Sequence, residues 1–92
     1  MPTLKVIEKR IFSIEGFNVS FWSNGRNLRD DVVLPVQYNA QKMSKNSYTV
    51  REYKRKLARQ FPGYDFEVHK KNGDTVIGQT KLSTVRDTYL DD

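Results

Sequence analysis

Residues 49 to 63, TVREYKRKLARQFPG, carry both a start and a stop for a helix, and no other stretch of the 92-residue chain constrains its fold so tightly. Thr49 and Glu52 have the T-x-x-E spacing of a capping box, in which side chain and backbone satisfy each other's donors, and Tyr48 and Tyr53 stand at the two positions of a hydrophobic staple. Val50, Tyr53, Leu57 and Phe61 recur at helical spacing as one apolar stripe, and Pro62-Gly63 ends the segment. A helix with one apolar stripe needs a surface to cover it. The rest of the chain must supply that surface.

The flanking sequence reads as strands. Over residues 4 to 22, Phe12, Ile14, Phe17, Val19 and Phe21 fall on one face if Glu15-Gly16 is a two-residue turn, which predicts a hairpin. SNGRNLRDD follows with a turn signal at Asn24-Gly25. VVLPV is then β-rich, but Pro35 has no N–H to give a ladder, so this is a short edge strand. QYNAQKMSKNS, residues 37 to 47, has no apolar period and many turn formers, and is expected to be a mobile loop.

Beyond the helix, YDFEVHKKNGDTVIGQTKL alternates with Tyr64, Phe66 and Val68 on one side. Asn72-Gly73 is the strongest hairpin signal in the chain, and a two-residue turn there sets Lys71 opposite Asp74 and Val68 opposite Ile77. The tail, LSTVRDTYLDD, predicts a short helix capped by Ser83 or Thr84, with Val85, Tyr89 and Leu90 at helical spacing. The expected fold class is α+β, one domain over residues 1–92: an antiparallel sheet of two hairpins plus a short edge strand, packed on one amphipathic helix, in the order ββ(β)αββ with a short C-terminal helix. The helix stripe is expected to pack on Phe12, Val19, Phe66 and Val68.

The chain has no cysteine, which removes disulfides, thiolate nucleophiles and cysteine-bound metals. Lys5, Glu8, Lys9 and Arg10 interrupt the apolar residues near the start, so no signal-peptide stretch is read there and a cytoplasmic protein is expected. Nothing in the sequence suggests a membrane span.

The charge is concentrated. Residues 42 to 59 hold Lys42, Lys45, Arg51, Lys54, Arg55, Lys56 and Arg59 against Glu52, a balance of +6, whereas the whole chain carries +5. Arg51, Arg55 and Arg59 form an i, i+4, i+8 row, which places guanidinium groups ~6 Å apart along the helix. Arginine forks match phosphate geometry. Trp22, Tyr38 and Tyr48 lie in or beside polar stretches, where an aromatic ring could stack on a base or anchor a protein partner. These residues point to a small non-enzymatic module that binds nucleic acid nonspecifically through residues 49–61 and the loop before them. The alternative is a protein-interaction subunit that docks an acidic partner through the same helix and aromatics.

Asp65, Glu67 and His69 alternate on one strand face, but same-face neighbours stand ~6.6 Å apart, too far to share an ion ~2.1 Å from each ligand. They read as the solvent side of a strand. No metal site, catalytic residue or cofactor is assigned from the sequence.

Overall fold

The computed structural model describes residues 2–40 and 42–90. It is an α+β fold: α1 (Leu4–Glu15), β1 (Asn18–Ser23), β2 (Arg26–Asn27), α2 (Val50–Gln60), β3 (Asp65–His69) and α3 (Leu82–Asp87). The three strands form one antiparallel sheet in the order β2-β1-β3. From residue 18 onward the succession is the expected one of a hairpin, an extended stretch bridged at Val33, a helix, a second hairpin and a short C-terminal helix.

Ahead of it, residues 4–15 are a helix and not the first strand of a hairpin. Leu4, Ile7, Ile11 and Glu15 are buried at helical spacing. Gly16 sits in the left-handed region at φ 85° and its N–H bonds back to the Phe12 carbonyl. Glu15-Gly16 is therefore a helix end, with glycine in the C-terminal role that only a residue without Cβ fills at low cost. Phe12 falls on the outer side, 43% exposed, and packs edge-on against Tyr89 instead of against the α2 stripe.

The first hairpin is displaced to β1–β2. Asn24 and Gly25 both have positive φ, 52° and 77°, and Ser23 pairs with Arg26. That is the two-residue turn whose twist suits paired strands. In the second hairpin His69 bridges Thr75 and the Lys70 N–H bonds the Asp74 carbonyl. The turn thus holds three residues, 71–73, with Gly73 at φ 95°. A type I turn closed by a left-handed glycine has this geometry. The pairing slips by one from the expected register: Val68 accepts from the Val76 N–H, Val76 is buried, and Ile77 is 71% exposed.

The α2 stripe is as expected. Val50, Tyr53, Leu57 and Phe61 are all buried, and the Thr49/Glu52 capping box is complete. Phe17 meets Tyr53 edge-on at 5.1 Å between centroids, and Phe21 meets Phe61 and Phe66 at 5.2 and 5.0 Å. The inner sheet face, Val19, Phe21, Phe66 and Val68, joins this core, with α1 beside β1 and α2 beside β3. α3 starts at Leu82 behind Lys81, and neither Ser83 nor Thr84 caps it. The Tyr89 hydroxyl accepts from the Asn18 N–H and donates to the His69 carbonyl, closing one end of the β1–β3 ladder.

Two irregular segments are tied to the core. Residues 28–34 cross the start of α1, where the Leu4 and Lys5 N–H groups bond the Val32 and Asp30 carbonyls and Leu34 donates to Pro2. No side chain of Thr3 caps that helix, so the loop's carbonyls satisfy its orphan donors. The 37–47 segment has no regular structure among its described residues, and residue 41 lies outside them. It is anchored by Tyr38 and Ser44, both buried.

Both anchors reach Glu15, which is 1% exposed. The Tyr38 hydroxyl donates to Oε2, the Ser44 N–H donates to Oε1 at 2.8 Å, and Arg86 forms a 3.1 Å ion pair with Oε1. Arg86 Nε also donates to the Glu15 carbonyl, its Nη1 to Asn46 Oδ1, and its guanidinium lies 5.4 Å from the Phe17 ring centre. Tyr53 donates to the Tyr38 hydroxyl at 3.0 Å. Burial, and then the hydrogen bond to Glu15, pushes the Tyr38 phenol well above its ordinary value; burial does the same to Tyr53. Among the described residues no buried side-chain nitrogen or oxygen lacks a partner.

Candidate functional site

The outward surface of α2 carries the charge. Arg51, Arg55 and Arg59 are exposed, and with Lys54 their side chains make no hydrogen bond or ion pair among the described residues. Ion pairs there are confined to Arg29–Asp31 and Arg86–Glu15, far from this row in sequence. The capping box occupies Glu52, the sole carboxylate of the helix, whose Oε1 accepts from both the Thr49 N–H and the Thr49 hydroxyl. The local fold therefore uses the helix's own carboxylate for the helix start, and the arginines form no ion pair among the described residues.

Two grooves flank this row. The larger, about 570 Å³, is walled by Arg51, Lys54 and Arg55 on α2, by Trp22, Asp65 and Glu67 from the strands, and by Tyr64 just ahead of β3. The smaller, about 390 Å³, lies between Tyr48, Glu52, Arg55, Lys56 and Arg59. Arg55 lines both, so it stands between them. Thus the structure brings Trp22 together with part of the basic row and Tyr48 with the remainder.

Other expected members are placed differently. Tyr38 departs from the expectation of an exposed aromatic: at 1% exposure, with its hydroxyl on Glu15, it is a core residue. Lys56 is half-buried and turns its Nζ to the Ser44 hydroxyl at 3.1 Å. Lys42 and Lys45 are exposed on the loop but line neither groove. Tyr64 joins the Trp22 groove and was not legible as a site residue, because in the sequence it is one more member of an alternating strand.

The outer sheet face is polar and ordered. In register, Asn18 lies opposite His69, Ser20 opposite Glu67, and Trp22 opposite Asp65. Trp22 Nε1 donates to Ser20 Oγ at 2.9 Å, and Ser20 Oγ lies 2.7 Å from His69 Nε2. His69 Nδ1 is 3.1 Å from the Gly73 carbonyl, which can only accept, so in the neutral ring Nδ1 carries the proton and Nε2 accepts from Ser20. Both histidine nitrogens have protein partners, and no group of three or more His, Cys, Asp or Glu able to hold a metal occurs among the described residues.

A further groove lies between α1 and β1, where Glu8 faces Asp30 beside Lys5 and Lys9. Burial, and then the Asp30 carboxylate, push the Glu8 carboxyl from its ordinary 4.5 up to about 7 against a hydrogen bond to the Phe21 backbone. No helix among the described residues is long and apolar enough to cross a membrane. The chain matches no protein-family model, no curated protein and no solved structure.

Proposed function

We propose that the protein is a small non-enzymatic module that binds nucleic acid nonspecifically through the exposed face of α2 and the loop leading into it. The observation that carries this reading is the row Arg51, Lys54, Arg55 and Arg59, four cations without a carboxylate partner among the described residues. Three like-charged arginines at i, i+4 spacing destabilise their helix by a few tenths of a kcal/mol per pair. Phosphates placed along the row reverse that repulsion and release counterions. The row itself carries no asparagine or glutamine to read base edges, and Gln60 at its end is held by Asn39 through two hydrogen bonds. Backbone contact without sequence preference follows.

The test is titration of the protein with labelled single- and double-stranded DNA and RNA at two salt concentrations. Four to six phosphate contacts give a slope of log K against log salt of about −3 to −5. Arg51→Ala, Arg55→Ala and Arg59→Ala should each reduce the magnitude of that slope by about one. If none of the four forms binds at ~50 mM salt and tens of micromolar protein, the reading fails. Pull-down of an acidic protein that is released by the same three substitutions would then place the row at a protein interface.

A further inference from the structure

The chain has a single tryptophan, and the fold holds its ring in a set position. The indole N–H is bound by Ser20, Ser20 is bound by His69, and His69 is bound by the Gly73 carbonyl. The only polar side-chain atom of Trp22 is thereby satisfied on the sheet, and Trp22 lines one groove together with Tyr64, Arg51, Lys54 and Arg55. The two walls of this groove differ in sign: Arg51, Lys54 and Arg55 on the helix, Asp65 and Glu67 on the strand. Asp65 is the direct cross-strand partner of Trp22.

Resting on the nucleic-acid reading above, we infer that this groove takes a single strand, with phosphates along α2 and one base stacked on Trp22. A base in a duplex has both faces covered by its neighbours and cannot stack on a ring inside a groove. An unpaired base offers a free face, and base–aromatic stacking tolerates any sequence. The carboxylates point the same way. A duplex brings phosphates to both sides of the protein surface it contacts, setting one strand against Asp65 and Glu67. A single strand turns its phosphates to the arginines and its base toward the strand, where carboxylates accept from amino and imino N–H groups. At about 570 Å³ the groove falls within the ~300–1,000 Å³ range of small-ligand sites, enough for a base and not for a double helix.

The experiment uses the same 12-nucleotide sequence as a single strand and as a duplex, at ~50 mM salt. Binding is read twice, by anisotropy of a label on the nucleic acid and by the emission of Trp22. The single strand should bind about tenfold more tightly and quench Trp22 emission along the same curve. Trp22→Ala should weaken single-strand binding by roughly five- to a hundredfold and leave duplex binding unchanged. Trp22→Phe should lose less, because the smaller ring still stacks; it serves if the alanine variant fails to fold. Equal affinity for the two forms with no change in Trp22 emission overturns the single-strand inference while leaving nonspecific binding by α2 intact. Binding of neither form overturns both.

Discussion

Glu15 is the most deeply buried charged side chain among the described residues. A carboxylate at 1% exposure is deprived of water, and its oxygens are met instead by Tyr38, the Ser44 backbone and hydroxyl, and Arg86. Removing one member strands the others, so Glu15→Ala or Arg86→Ala should each cost about 3–5 kcal/mol in urea unfolding. Replacing both, Glu15→Leu with Arg86→Met, should cost clearly less than the sum. Additive losses would show that the two charges do not compensate each other. Glu8 carries a prediction in pH. The folded chain holds the Glu8 proton up to about 7, whereas an ordinary carboxyl releases it near 4.5, so between these values the native state binds more protons. The stabilisation is present in full below about 4.5 and is lost as pH rises through about 7. Glu8 is only half-buried, and solvent screening reduces the effect to about 1 kcal/mol. Glu8→Gln should flatten thermal stability across this window.

Among the elements, α2 divides most cleanly into a face that holds the fold and a face that does not. Leu57→Ala should cost roughly 2–5 kcal/mol, since the side chain is fully buried in the core. Arg51→Ala, Arg55→Ala and Arg59→Ala should each stay within about half a kcal/mol in the same urea titration. This helix was legible in full because cap, stripe and stop are local, and each agrees with the others. The first element was not. Leu4, Ile7 and Ile11 repeat at helical spacing while Phe12, Ile14, Phe17, Val19 and Phe21 alternate, so two periods overlap across residues 4–21. Gly16 decides between them, and its backbone angle is not visible in a sequence. The slipped second hairpin has a similar cause. Asn72-Gly73 fixes where the chain turns, but the choice of a two- or three-residue loop depends on which of Val76 and Ile77 the core accepts. Of the candidate site, the arginine row follows from helix geometry and could be read directly. The meeting of Trp22 with that row, and the withdrawal of Tyr38 into the core, depend on contacts across 15 to 40 residues, which no local pattern carries.

At the scale of the molecule, residues 42–59 carry a balance of +6 against +5 for the whole chain, so a polyanion bound as proposed would act on the fold through α2 and its leading loop. A ligand that binds only the native state at a hundred times its dissociation constant adds about 2.7 kcal/mol. For a domain of this size that raises the melting temperature by roughly 10 °C or more. A single-stranded oligonucleotide should produce such a rise at low salt and lose it at high salt. The two ends of α1 lead to a different consequence. Its first amides, Leu4 and Lys5, are held by carbonyls of residues 32 and 30, and its last residue is held by Arg86, so neither end can fray alone. Helix starts ordinarily exchange their amide hydrogens quickly, because opening there costs little. Here the Leu4 and Lys5 amides should exchange as slowly as that of Leu34, which bonds back across the same seam, and all three should speed up together when Leu34→Ala loosens the loop. The N-terminal helix and the loop that crosses it thus open as one cooperative unit, recorded in deuterium uptake as a single rate.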